Sequence, residues 1–182
     1  MNGTSSFFEC VAADVDVWAR SWSRQVSVRL FLRLFCLERG FQLAFMLRIQ
    51  GCLGRIPFFG SVVRRLVWYS ICKRFGCDID PQAEIEGGVL FPHPYGIVIG
   101  GACRIESGTL INQHVTLGRR KVGHHDGPQI GKDVRVGAGA VLLGSIKIGH
   151  GSSIGANAVV LNDVPPNSTA VGIPAKCISS ET

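Results

Sequence analysis

Imidazole is the side chain that most readily takes a proton at neutral pH, since it titrates at about 6.5 when unperturbed. This chain of 182 residues carries five histidines. His93 stands apart from the others. It lies in Phe91-Pro92-His93-Pro94-Tyr95-Gly96, where two prolines fix the backbone on either side. A stiffened imidazole at a bend suits a general base, although a lone histidine can equally be inert. A second group fills Gly118-Arg119-Arg120-Lys121-Val122-Gly123-His124-His125-Asp126-Gly127-Pro128-Gln129. Its three consecutive cations suit phosphate, and His124, His125 and Asp126 suit a substrate or a metal; a solvated loop is the plain alternative. His93, His114, His124 and His125 suffice in number for a three-histidine zinc site. Their spacing does not demand one, and no metal is expected.

The scaffold that must position these residues announces itself as a six-residue beat: Ile130, Val136, Leu142, Ile148, Ile154 and Val160, with Gly131, Gly137, Gly149 and Gly155 following most of them. Such a period is the signature of a hexapeptide β-helix, in which each repeat makes one flat face of a triangular coil and the aliphatic points inward. The beat runs upstream as Ile79, Ile85, Phe91 and Ile97, then slips by two residues to Ile99, Ile105, Ile111 and Leu117. Chemistry is expected at the slip and at the break between Leu117 and Ile130. At about 18 residues per coil, residues 79–163 allow four to five coils. Val164-Pro165-Pro166 is expected to mark the exit, because proline cannot donate to a sheet ladder.

The first part of the chain reads differently. Helical patterns cover 24–37, with Gln25, Arg29 and Arg33 as a narrow polar stripe, then 41–49 and 62–75, with Gly40 as a break. From Arg20 to Arg74 there are eleven basic residues and one acid, Glu38. Two readings stand: a helical cap over the open end of the coil that packs subunits together, or a basic, apolar surface resting on an anionic membrane. No apolar stretch reaches about 18 uncharged residues, so no spanning helix is expected. Seven cysteines, odd in number and without a C-x-x-C pair, suggest neither a disulfide framework nor a zinc knuckle and fit a reducing cytosol. Residues 1–18 lack the pattern of a signal peptide. The expected organisation is a helical segment over 1–76, a β-helix over 77–176 and a tail over 177–182, located in the cytoplasm or peripherally on the inner face of the plasma membrane.

Several motifs together carry a resemblance. They are Asp78-Ile79-Asp80-Pro81-Gln82-Ala83-Glu84-Ile85, His93-x-x-Gly96-Ile97-Val98-Ile99-Gly100, Val115-Thr116-Leu117-Gly118, Val136-Gly137-Ala138-Gly139-Ala140, Leu143-Gly144-Ser145-Ile146, and the stretch from Val164-Pro165-Pro166 to Val171-Gly172-Ile173-Pro174-Ala175-Lys176. The chain thereby resembles the serine O-acetyltransferases among the hexapeptide-repeat acyltransferases. The resemblance implies an all-β, left-handed parallel β-helix preceded by an α-helical segment, and acetyl-CoA as co-substrate. It implies a catalytic dyad in which His93 is general base and Asp78, fifteen residues earlier, orients it. It also implies a homotrimer, open to pairing as a dimer of trimers, with active sites between prisms. By motif match, Gly118, Ala138, Ala140 and Ala156 would line the pantetheine groove and Lys176 would reach a CoA phosphate.

The departures matter as much. The family sets an aspartate directly before the catalytic histidine and an arginine-histidine pair in D-R-H-P to grip the amino acid. Here those positions hold Pro92, Asp126 and Gly127, while Asp80 replaces the histidine of D-I-H-P and Gly101 the glutamate of V-I-G-E. A charged contact of this kind is worth about 1.5–3 kcal/mol. The reading placed first is therefore O-acetylation of a sugar hydroxyl, closest in character to the capsule and exopolysaccharide (colanic-acid-type) O-acetyltransferases. The alternatives are serine O-acetylation with serine contacts moved to His124, His125 or Asp126, and a non-catalytic hexapeptide scaffold. No nucleic-acid partner is expected.

Overall fold

A computed structural model describes residues 6–53, 60–121, 123 and 125–178. Among the described residues four helices come first: α1 (Phe7–Ser21), α2 (Val28–Leu37), α3 (Arg39–Leu53) and α4 (Gly60–Phe75). The hydrophobic pattern before residue 24 does not reveal α1. Its signal is at the cap instead, where Glu9 N donates to Ser6 Oγ at 3.2 Å and Ser6 N to Glu9 Oε2 at 2.6 Å, a reciprocal pairing that satisfies two otherwise orphaned donors. α2 starts four residues later than its pattern suggests, because Ser27 Oγ accepts from Leu30 N at 3.2 Å and fixes the start there. The break between α2 and α3 falls at Glu38, whose backbone is extended. Gly40 is not a breaker; it is helical and buried.

Fourteen short strands follow among the described residues. The first seven are β1 (Asp78–Ile79), β2 (Glu84–Ile85), β3 (Val98–Ile99), β4 (Arg104–Ile105), β5 (Leu110–Ile111), β6 (Thr116–Gly118) and β7 (Gln129–Ile130). The rest are β8 (Arg135–Val136), β9 (Val141–Leu143), β10 (Lys147–Ile148), β11 (Ser153–Ile154), β12 (Val159–Val160), β13 (Thr169–Gly172) and β14 (Ala175–Ile178). They stack into three faces. The first runs β1-β3-β6-β9-β12, the second β2-β4-β7-β10 and the third β5-β8-β11-β13-β14, all parallel except the last pair. Each turn of chain visits the faces in the same order, which makes a three-sided parallel β-helix.

The beat aliphatics fill the prism: Ile79, Phe91, Ile99, Ile105, Ile111, Leu117, Ile130, Val136, Leu142, Ile148, Ile154 and Val160 are buried. A second inward position precedes most of them by two residues, as in Cys103, Val115, Val134, Ala140, Ile146 and Ala158. Ile97 belongs to this second set, paired with Ile99 as Val115 is with Leu117. The slip is thus an enlargement of one corner: Phe91 to Ile99 spans eight residues where Ile111 to Leu117 spans six. The enlarged corner contains His93.

Leu43, Ala44 and Leu47 of α3 and Ile71 and Phe75 of α4 are continuous with the prism core, so the helices close its open end. α1 is tied on by charge. Arg48 Nε and Nη2 donate to the Asp14 carboxylate at 3.0 and 3.1 Å, Arg48 Nη1 and Nη2 donate to the carbonyls of Ile85 and Glu86 at 2.6 and 2.8 Å, and Gly88 N donates to Asp14 Oδ1 at 2.7 Å. At the other end two expectations fail. Val164 pairs with Ile148 on the second face and the chain returns to the third as β13, so Pro165-Pro166 forms a corner, where no ladder donor is needed, and not an exit. Cys177 and Ile178 belong to β14, paired with Ala170 and Thr169, and are not tail.

Candidate active site

The enlarged corner joins the third face to the first. Asp78 N donates to Ile97 O at 2.8 Å and Gly96 N to Gly76 O at 3.2 Å, which seats the corner beside the entry to β1. Within it Tyr95 N donates to His93 O at 2.8 Å, Pro94 is buried and the His93 side chain is exposed. Among the described residues the imidazole has no hydrogen-bond or ion-pair partner.

The helices hold this corner from behind. Arg39 donates to Arg74 O at 2.7 Å and places its guanidinium 4.8 Å over the Tyr95 ring. Beside it, α3 crosses so close to Phe91 that a Cβ on Gly40 would overlap the Phe91 carbonyl oxygen. One coil on, His114 N donates to Tyr95 O at 2.8 Å, and the His114 ring packs against Gly96, whose missing Cβ leaves it room.

Asp78 opens β1 with an exposed side chain. Its Oδ1 accepts from Trp68 Nε1 of α4 at 3.1 Å, and no hydrogen bond or ion pair joins it to His93 among the described residues. Trp68 escapes the sequence reading because its link to Asp78 depends on how α4 runs into the coil. A cavity of about 440 Å³ opens next to it, lined by Arg64, Arg65 and Trp68 on the helix side and by Asp78, Asp80 and Gln82 on the coil side. Arg65 lies 5.4 Å over the Trp68 ring, and Asp80 Oδ1 accepts from Gln82 N at 2.8 Å. None of these cavity cations was legible as a site residue, since α4 reads as one more amphipathic helix.

The other expected residues separate into groups. Ala138 and Ala156 lie on the same corner line as His93, in successive coils: Gly139 N donates to Gln113 O at 2.9 Å and Asn157 N to Ala138 O at 2.8 Å. Ala156 is exposed and Ala138 half-buried, so a groove descending from His93 would meet both. Ala140 does not belong with them. It is 0% exposed in the prism core, because it occupies the second inward position, and its side chain cannot line a groove. Gly118 ends β6 at the opposite edge of the first face, with open space where a Cβ would stand. Lys176 is exposed on β14, beside Val171.

The excursion between β6 and β7 leaves from that same opposite edge. His125 is exposed, and His124 lies outside the described residues. Asp126 is half-buried, and its Oδ1 is enclosed without a hydrogen-bond partner among the described residues. Gly127 lies against Ala102 and Cys103. Within one chain, therefore, the described residues of the excursion and His93 flank the first face from opposite corners and do not meet. No group of three or more His, Cys, Asp or Glu side chains suited to a metal occurs among the described residues.

The bacterial transferase hexapeptide (six repeats) family pattern matches residues 127–162. Serine acetyltransferase of Haemophilus influenzae is 35% identical over 97% of this chain and 64% of its own length, so the chain spans somewhat less than two thirds of that curated relative. A soybean serine acetyltransferase solved in complex with serine is 37% identical, with 95% of this chain and 70% of that one covered at a TM-score of 0.83. A serine acetyltransferase solved in complex with CoA is 34% identical, with 94% and 70% covered at a TM-score of 0.81. Superposition at these scores requires the same hand of coil, so this β-helix is left-handed like theirs. The chain belongs to the hexapeptide-repeat acyltransferases, in the family that includes the serine acetyltransferases.

Proposed function

We propose that this chain is an acetyl-CoA-dependent O-acetyltransferase in which His93 is the general base, with the hydroxyl of free serine as the leading acceptor. The observation that carries the reading is the exposed imidazole, without a partner among the described residues, on a two-residue enlargement of an otherwise regular coil whose backbone is hydrogen-bonded to the entry of β1, the strand that Asp78 opens. In this mechanism Trp68 holds Asp78 Oδ1, one ring N–H of His93 donates to the Asp78 carboxylate, and the other ring nitrogen accepts the acceptor's proton. The hydroxyl oxygen then attacks the thioester carbonyl carbon. Collapse of the tetrahedral intermediate breaks the C–S bond, and the proton held by His93 goes to the departing CoA sulfur. The products are an acetyl ester and CoA, with no covalent enzyme intermediate. Ala138 and Ala156 offer the groove for the pantetheine arm and Lys176 a cation for a CoA phosphate. The separation of His93 from the excursion within one chain supports a trimer in which neighbouring prisms complete each site.

The glycan acceptor placed first by the sequence gains no support from the relatives, which are serine acetyltransferases. It remains as a second reading because of Asp126. Where the family presents a cation to the acceptor's carboxylate, this chain has the Asp126 carboxylate, one oxygen of which has no hydrogen-bond partner among the described residues and suits a hydroxyl or ammonium group.

CoA release, followed by thiol assay with L-serine, nucleotide-sugars and capsule oligosaccharides as acceptors, separates the two. Turnover with L-serine alone supports the first; turnover confined to a glycan overturns it. His93→Ala should abolish acceptor-dependent thioester cleavage while the assembly stays intact, and unchanged turnover in that variant would sink the mechanism.

A further inference from the structure

α2 is amphipathic the wrong way round for a helix facing water. Leu30 and Leu34 face the core. The side turned directly away from them, at the 3.6-residue period, carries Val28 (77% exposed), Leu32 (55%) and Phe35 (43%). Arg29 and Arg33 flank this stripe on one side, both exposed. The apolar surface continues across the neighbouring helices. Phe35 packs edge-on against Phe45 of α3 at 5.3 Å, Phe45 against Phe7 of α1 at 5.8 Å, and Phe7 against Phe8 at 5.5 Å, where Phe8 is 80% exposed. A contiguous aromatic and aliphatic patch spanning three helices is more than the scattered exposed hydrophobics of an ordinary surface.

We infer that this face of α2, extended by Phe35, Phe45 and Phe8, rests on an anionic lipid surface. Charge decides the occupant. α2 contains no acid and carries Arg29 and Arg33 exposed along its flank, while the exposed acid at the far edge of the patch, Glu9 beside Phe8, is engaged in the α1 cap by Ser6 N. A second copy docked antiparallel by the same face would set Arg29 and Arg33 near their own images, which is repulsive, whereas an anionic headgroup layer pairs with both. Leu and Phe on one side with Arg at the flank is the arrangement of helices that lie in the interface plane, the apolar face among the acyl chains and the guanidiniums at headgroup level. Among the described residues no helix is long and apolar enough to cross a membrane, so the contact is peripheral.

The test is flotation of the full chain with vesicles of phosphatidylcholine alone and of phosphatidylcholine with 30 mol% phosphatidylglycerol (a chosen assay composition, roughly that of an anionic leaflet). Binding is expected to the anionic vesicles, weakening as salt rises and screening shortens. Arg29→Gln with Arg33→Gln should lower the partition coefficient about 30-fold, at about fivefold per arginine. Leu32→Glu with Phe35→Glu should lower it by at least about tenfold. All four side chains are exposed, and α2 packs against α1 and α3 and against no strand, so an unchanged circular dichroism spectrum and melting temperature confirm that each variant is folded. Absence of binding to anionic vesicles, or equal binding by the variants, overturns the inference. So does a sedimentation mass that halves in Leu32→Glu/Phe35→Glu without any lipid binding by the parent, which would assign the face to a second copy.

Discussion

Replacing Gly40 by alanine tests whether the helical cap sets the position of the corner that carries the proposed base, His93. Gly40 does not have a left-handed backbone, so alanine is conformationally allowed there, and in a helix it would ordinarily be favourable by roughly 0.5–1 kcal/mol. The obstacle is contact. The new Cβ would overlap the Phe91 carbonyl oxygen, with the Phe91 carbonyl carbon at 2.9 Å and Trp18 Cζ2 at 3.1 Å. Two of these three neighbours are backbone, which cannot swing aside as a side chain would. Overpacking of this kind costs about 1–3 kcal/mol, or a fall of roughly 2–12 °C in melting temperature at about 2–4 °C per kcal/mol for a chain of this size. The functional cost should be larger than the stability cost. Phe91 precedes His93 by two residues with Pro92 between them, and the stiff Pro-His-Pro segment has little freedom to absorb a shift of its anchor. A displacement of about 1 Å at reacting groups can lower a rate about 10²-fold; a tenfold or greater fall in kcat for acetyl-CoA cleavage is expected. Gly51→Ala is the control, since it lies in the same helix with nothing within 4 Å of the added carbon, and should be neutral or slightly stabilising with kcat unchanged. If Gly40→Ala behaves like Gly51→Ala in both melting and turnover, the cap does not position the corner.

Two further outcomes follow from other parts of the fold. Asp14→Ala should destabilise by about 3–5 kcal/mol, because it strands the buried Arg48 guanidinium without its carboxylate; in chemical denaturation the double replacement Asp14→Leu/Arg48→Met should lie closer to wild type than either single variant, and additive losses would refute the coupling. Burial pushes the Cys103 thiol up to about 11, so it stays protonated and shielded, whereas Cys36 and Cys177 are exposed and open to reagent. Iodoacetamide at pH 8 should label those two in the folded protein and spare Cys103, as read by peptide mass spectrometry. The same shift has a stability sign: the unfolded thiol loses its proton near its ordinary value of 9.0 and the folded one only at about 11, so Cys103 erodes stability as pH rises through that window.

The prism was legible in the sequence because its core is periodic by construction. A side chain that must point inward at every face recurs at a fixed interval, and the eye needs only the interval. What the interval misses is the second inward position, fixed by how each corner turns; without it Ala140 passes for a groove residue and Ile97 for a slipped beat. The helices were less legible for the opposite reason. Periodicity identifies α2 as a helix, but which of its stripes is buried depends on α1 and α3, and here the neighbours cover Leu30 and Leu34 and leave the more continuous apolar stripe outside. α1 shows itself only at its cap. Trp68 and the α4 arginines beside Asp78 carry no local signal at all, since they meet the coil through tertiary packing.

His93 was found by a local cue, the two prolines, yet the physical reason for its position is not local. A regular hexapeptide corner is short and places its residues against the coils above and below. Two extra residues between Phe91 and Ile99 let the chain bulge outward there, which frees one side chain from stacking but would also leave it loosely placed. The structure resolves that conflict from outside the coil, with Gly40 admitting the Phe91 carbonyl against α3 and Arg39 lying over Tyr95. Gly40 reads in the sequence as a helix breaker and Arg39 as one more surface cation. Under the proposed mechanism both are parts of the site, because a general base at His93 needs the freedom that the enlarged corner provides and the fixed position that the cap gives it.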